Sequence, residues 1–166
     1  MDEQVKPLRD AFIEAAAAFA EAVGACPDSA WANVCAPEGW TVAALAHHIA
    51  KGHARSAEWI ATMTAGQPVR MTEEELDAEN AEDAERFAAA TKNDVLALHQ
   101  RNSALLRALL GAMSREDIDK HAAFGPAGGA LFPVERIAGA ASRHVVGHLT
   151  SIHDAVSGDV KKPPAG

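Results

Sequence analysis

Apolar residues recur along this chain at the spacing of three and four that puts them on one face of a helix, in four stretches separated by polar, glycine- and proline-bearing connections. In the first, Leu8, Phe12, Ala15, Ala16, Phe19 and Val23 predict a helix from about Gln4 to Ala25. Pro7 falls in its first turn, where the missing N–H does no harm, and Gly24 lies near its end. In the second, Val42, Leu45, Ile49, Ser56, Ile60 and Met63 occupy about one quadrant of a wheel running from about Val42 to Ala65, and Thr41 stands ready to cap it. A third helix is predicted from near Ala84 to Met113, facing inwards with Phe87, Val95, Leu98, Leu105, Leu106 and Leu109. The fourth, Pro133 to Ser157, has a core face of Val134, Ile137, Ala141, Val145, Leu149, Ile152 and Val156, and stops before Gly158.

The segments between read as connections. Cys26 to Trp40 holds two prolines and a glycine and keeps no period, so Trp31 and Trp40 are expected to cover one end of the helices. Thr72 to Arg86 is strongly acidic and is expected to be a solvated helix start or loop, capped by Thr72 with Glu75 three residues on. Ser114 to Leu131 contains three glycines and a proline after a short acidic turn, and is expected to be a flexible covering loop that carries His121. The tail from Asp159 to Gly166 is expected to be disordered, leaving a single domain over residues 1–158.

Composition narrows the class. The chain is rich in Ala and Leu, poor in aromatics and without Tyr, which favours an all-α protein. A net charge of -8, from 15 basic against 23 acidic residues, argues against nucleic acid as a partner, because phosphate binding draws on clustered basic side chains. Neither a membrane-spanning apolar run nor a signal peptide is evident, so the expected location is cytoplasmic, with Cys26 and Cys35 as reduced thiols.

The chemistry lies in the histidines, of which there are eight. His144 and His148 are four apart, so on a helix their imidazoles sit one above the other at the edge of the apolar stripe, while His153 falls on the opposite edge. On the second helix His47 points away from the apolar seam towards the surface, His48 lies on one flank and His53 on the other. His48 shares its flank with Gly52 and Trp59, a small residue and then an aromatic wall, as a pocket beside it requires. Bundle metal sites are built from inward-facing ligands on adjacent helices, so His48, His144 and His148 are the candidate set. Three neutral imidazoles suit a divalent metal such as Zn, Ni, Fe or Co and leave a position for water or substrate. His53, His99 and His121 are candidates for a general base, although His99 reads more simply as a half-buried or surface side chain.

The stretch GWTVAALAHHIAKGH, followed much later by RHVVGHLTSIH, resembles the DinB-like (DinB/YfiT-like) superfamily of metalloenzymes. In that family a tryptophan and then Ser or Thr open the second helix, a ligand histidine follows, and a His, three residues, His motif lies on the last helix. His48, followed by Ile49 and Ala50, matches the family's His, Leu, Ala pattern better than His47 does, and His144 with His148 matches the second motif. The resemblance implies a four-helix bundle of up-down-down-up connectivity, a divalent metal near one end and a homodimer. Some relatives are transferases or isomerases that use a low-molecular-weight thiol. The leading expectation is therefore a metal-dependent enzyme with a three-histidine site, acting on a small molecule as a thiol-dependent S-transferase or isomerase, or as a hydrolase. The competing one is a non-catalytic bundle that binds a metal or ligand and dimerises.

Overall fold

The computed structural model describes residues 2–158, so the expectation of a disordered tail over residues 159–166 lies outside the described residues. Four long helices make the body: α1 (Lys6–Ala25), α2 (Val42–Thr64), α4 (Lys92–Ala112) and α6 (Val134–Ser157). Two shorter helices, α3 (Glu73–Arg86) and α5 (Arg115–Asp119), and two small hairpins connect them. The first hairpin pairs β1 (Val34–Cys35) with β2 (Trp40–Thr41), the second β3 (His121–Phe124) with β4 (Ala130–Pro133).

Around the bundle, α1 and α2 stand at opposite corners, each packed against both α4 and α6. Direction follows from the ties at the helix ends. Asp2, just before α1, accepts the amide of Arg115, just after α4, at 2.8 Å, and Lys92 at the start of α4 bonds the Cys26 carbonyl at the end of α1. These two helices are antiparallel. The Thr41 hydroxyl, at the start of α2, donates to the carbonyl of Ala88 shortly before α4, so α2 and α4 run the same way. Asn33, close to the start of α2, bonds the carbonyl of Ala155 at the end of α6, which turns α6 back alongside α1. The result is the expected up-down-down-up four-helix bundle. Because α2 and α4 are parallel, the chain between them must travel the length of the bundle, and α3 is that return path.

The four apolar stripes account for most of the core, with Phe12, Phe19, Leu45, Ile49, Ile60, Met63, Leu106, Leu110 and Ile152 fully buried. Two apolar clusters form, one around Phe12, Ile60 and Leu106 and the other around Phe19, Leu45 and Ile152. Between them lies a polar layer. His53 and His99 face each other with Nε2 and Nδ1 3.1 Å apart, Phe12 edge-on to His53 and Phe19 tilted against His99. Asn102, one turn beyond His99, donates to the Ala50 carbonyl at 3.0 Å.

Several expectations are corrected here. The third predicted helix does not run unbroken from Ala84 to Met113: α3 ends at Arg86 and α4 starts at Lys92, because Thr91 turns its hydroxyl onto the amide of Asp94 and caps a new helix. The acidic run, expected as a helix start or loop, is helical from Glu73 to Arg86, and the expected cap by Thr72 with Glu75 is present as a complete capping box. Leu105 is exposed rather than inward-facing. His99 is buried rather than at the surface, and His47 is half-buried, stacked on Phe87 with ring centroids 3.6 Å apart. The stretch expected to be a loose loop holds α5 and the second hairpin, which is stitched to the chain after α2 by Val69 and Gly125. A side chain at Gly125 would overlap the Met71 carbonyl, so only glycine permits this seam. Among the described residues, no helix is long and apolar enough to cross a membrane.

Candidate metal centre

Thr41 starts the helix that carries the first histidine: its hydroxyl oxygen accepts the amide of Ala44 at 3.1 Å and so fixes where α2 begins. Two turns on, the two flanks of the α2 stripe serve different neighbours. The His53 flank is buried in the polar layer of the core, and the His48 flank faces α6. There it meets His144 and His148, one turn apart on α6 and edge-on to each other with ring centroids 4.7 Å apart. The ε nitrogens of His48 and His144 are 2.9 Å apart. One ligand nitrogen from each of the three rings falls within 4.8 Å of the others. Gly52 makes this approach possible, since a β-carbon there would stand 3.0 Å from Cε1 of His144.

The electrostatics favour neutral imidazoles. Burial, with help from the neighbouring His144 and His148, lowers the pKa of His48 to about 3. Burial, followed by the charge of His148, lowers that of His144 to about 4. Neutral rings with free lone pairs are what a divalent cation needs. The third ring is aimed by a carboxylate: Nδ1 of His148 donates to Oε1 of Glu38 at 2.9 Å, and Ser151 donates to the same oxygen at 2.9 Å. The Glu38 oxygen is the acceptor in both bonds, so Nδ1 is the nitrogen turned to the carboxylate and Nε2 the one left for the site. The other Glu38 oxygen is buried without a hydrogen-bond partner, leaving negative charge beside the cluster to be balanced. Nitrogens about 2.0–2.1 Å from one tetrahedral zinc ion stand about 3.3–3.4 Å from one another, a separation between the 2.9 Å of the closest pair here and the 4.8 Å that bounds the set. The donor set and its charge thus fit a divalent metal.

The histidines form one end of a cavity of about 460 Å³ between α2 and α6. Trp40 lies edge-on to His48 with centroids 5.3 Å apart, so this tryptophan lines the site rather than merely covering a bundle end. Trp59, Ile137 and Ala140 line it farther along, and α3 and the second hairpin roof it with Leu76, Asn80, Phe124 and Pro126. Lys51 and Arg55 also border it, tied to Glu79 and Asp83 of α3.

The other histidines stay apart from this cavity. His53 and His99 are in the core, His121 is exposed with Nδ1 donating to the Asp119 carbonyl at 2.8 Å, and His153 is exposed on the far edge of α6. The covering loop does reach the cavity, through Phe124 and Pro126 rather than through His121. Sequence reasoning missed Glu38 altogether. It sits in a connection without periodicity, and its only signal was an acidic side chain two residues before Trp40 at the mouth of a helix bearing histidines.

The sequence model of the DinB superfamily matches residues 11–152. Among solved structures, YfiT from Bacillus subtilis, described as a probable metal-dependent hydrolase with an unusual four-helix bundle topology, superposes with a TM-score of 0.76 at 22% identity, over 96% of this chain and 89% of that one. A histidine-to-alanine mutant of the mycothiol-dependent maleylpyruvate isomerase superposes with a TM-score of 0.73 at 14% identity, over 89% of this chain and 60% of that one. No curated protein matches the chain.

Proposed function

The chain belongs to the DinB superfamily, and we propose that it is a divalent-metal-dependent enzyme acting on a small molecule, with His48, His144 and His148 as the metal ligands. The observation that carries this reading is the convergence of three histidines, two of them held neutral by burial, at one end of a cavity large enough for a substrate. A divalent cation held there supplies a Lewis acid that lowers the pKa of a bound nucleophile. The nucleophile in this proposal is water or a low-molecular-weight thiol, giving a hydrolase or a thiol-dependent transferase or isomerase. The names of the two structural relatives, a probable metal-dependent hydrolase and a mycothiol-dependent isomerase, support both branches.

The chain's own residues have defined tasks. Glu38 fixes the tautomer and direction of His148, and Gly52 leaves room for His144. Trp40 walls His48 against solvent, and the apolar lining keeps bulk water from competing with substrate.

Elemental analysis by mass spectrometry on untagged protein tests this reading. Wild-type protein is expected to carry near-stoichiometric metal, His148→Ala to lose it and His47→Ala to keep it. Full occupancy in His148→Ala would sink the ligand set. Metal absent from wild type even after incubation with zinc or nickel leaves the non-catalytic bundle as the better reading.

A further inference from the structure

The cavity has a direction. Because α2 and α6 are antiparallel, moving from His48 through Gly52 to Trp59 on one wall accompanies moving from His148 and His144 through Ala140 to Ile137 on the other. His48 and Trp59 are eleven positions apart, and at about 1.5 Å per residue the trough is roughly 16 Å long. One end carries the histidines. The remainder is mostly apolar: Trp59 packs edge-on against Phe124 with centroids 5.0 Å apart, and Leu76, Pro126, Ile137 and Ala140 add to that lining.

Two cations border this trough, and neither is free. Lys51 bonds both Glu79 and Asp83, and Arg55 bonds Glu79, donates to the sulfur of Met71 at 3.2 Å and lies over the Trp59 ring, 5.9 Å from its centroid. Two positive groups face two carboxylates, so the wall offers no net charge to a ligand. Away from the histidine end, an anionic group on the body of a ligand would lose its hydration and have to break these pairs to find a partner.

We propose that the trough takes an elongated, uncharged small molecule with an apolar or aromatic body, its polar reactive end at the three histidines and its body towards Trp59 and Phe124. The metal-dependent reading enters only in deciding which end reacts. The body is bound by burial of apolar surface, and Asn80 and Ser56 are the uncharged polar groups available along it.

Two fluorescent probes that share a ring system test this: neutral phenylnaphthylamine and its anionic counterpart, anilinonaphthalene sulfonate. Titrated into the full chain, the neutral probe is expected to saturate at one per chain and to bind at least about tenfold more tightly than the sulfonate. Ala140→Trp on one wall and Ser56→Trp on the other should each weaken the neutral probe about tenfold or more by filling the trough, with circular dichroism and zinc content as in wild type. Either variant suffices if the other fails to fold. Equal or tighter binding of the sulfonate overturns the proposal, as does unchanged binding of the neutral probe in a folded variant. Neutral-probe binding in a protein that holds no metal would defeat the metal reading alone. Metal without probe binding would defeat this one alone.

Discussion

Glu38 and His148, 110 positions apart in sequence, are joined by a 2.9 Å hydrogen bond from the imidazole Nδ1 to a carboxylate that also holds Ser151. A connection that looks like a mere link between helices therefore governs the direction of a candidate ligand. Removing the carboxylate in Glu38→Ala frees the ring to rotate and to change tautomer, and metal affinity is expected to fall about 10–100-fold. Glu38→Gln keeps an acceptor oxygen without the charge, so its loss should be smaller. Competition titrations against a chelator measure both variants, and equal affinity of Glu38→Ala and wild type would remove Glu38 from the site.

Gly52 sets two effects against each other. A methyl group there would crowd His144, whose Cε1 lies 3.0 Å from the position of the added β-carbon. Alanine is also the better helix former, by about 0.5–1 kcal/mol in a helix interior. Gly52→Ala is expected to leave metal-free stability unchanged or raised while lowering metal affinity by about tenfold, because a ligand displaced by a few tenths of an ångström no longer shares the ion well. Chemical denaturation of the metal-free protein and a zinc titration separate the two. A parallel loss of stability and affinity would mean that the glycine serves packing alone.

The His53–His99 pair gives the fold a direction in pH. Burial first, then the charges of His99 and His144, lowers the pKa of His53 to about 3, and burial lowers that of His99 against an opposing hydrogen bond to the Ala16 backbone. In the unfolded chain both titrate near the ordinary value of about 6.5. Below that value the unfolded state binds more protons than the folded one, so stability is fully present above about pH 6.5 and is lost as pH falls towards the folded pKa. Urea unfolding at neutral pH and at about pH 5 should show a loss on the order of 2 kcal/mol from His53 alone, with His99 adding to it in the same direction. His48 and His144 act in the same direction, so the comparison is with His53→Leu, His99→Leu, which should flatten part of the slope. An identical slope in the double variant would assign the whole pH dependence to the candidate metal centre and other groups.

The long helices and the convergence of His48, His144 and His148 were legible because the apolar stripes and the histidines at their edges follow helical periodicity. Val42, Leu45, Ile49, Ile60 and Met63 are buried as their spacing demands, and His48 and His53 occupy the two flanks that the wheel assigned. The break between α3 and α4 was not legible, since residues 87–91 contain neither glycine nor proline and the cap at Thr91 competes with a pattern that also suits a continuous helix. The second hairpin was hidden for the opposite reason: its glycines and prolines read as a loop, and its β3 strand is also bonded through Val69 to a distant segment. Glu38 belongs to a class of residue that periodicity never exposes. Its role comes from a contact between a loop and a helix that meet only in the folded bundle.

The helix roofing the cavity is the least conventional part of the bundle. Along α3 only Ala84 is buried, and the helix is tied to α2 by Lys51 and Arg55 bonding Glu79 and Asp83. The Lys51 and Glu79 side chains are each 34% exposed, so these pairs are partly screened and each contributes about 0–1 kcal/mol rather than the large value of a buried pair. Local opening of α3 should therefore be easier than unfolding of the bundle. Glu79→Ala is expected to speed amide hydrogen exchange within α3 by up to about fivefold, as the loss of roughly 1 kcal/mol implies, and to lower Tm by no more than about 2–4 °C. High salt should reproduce part of the effect in wild type, because it screens the same charges. Exchange in α3 that is unchanged by both the substitution and salt would show that Leu76 and the contact with the second hairpin hold the roof, and that the ion pairs matter only for the charge they cancel at the wall of the trough.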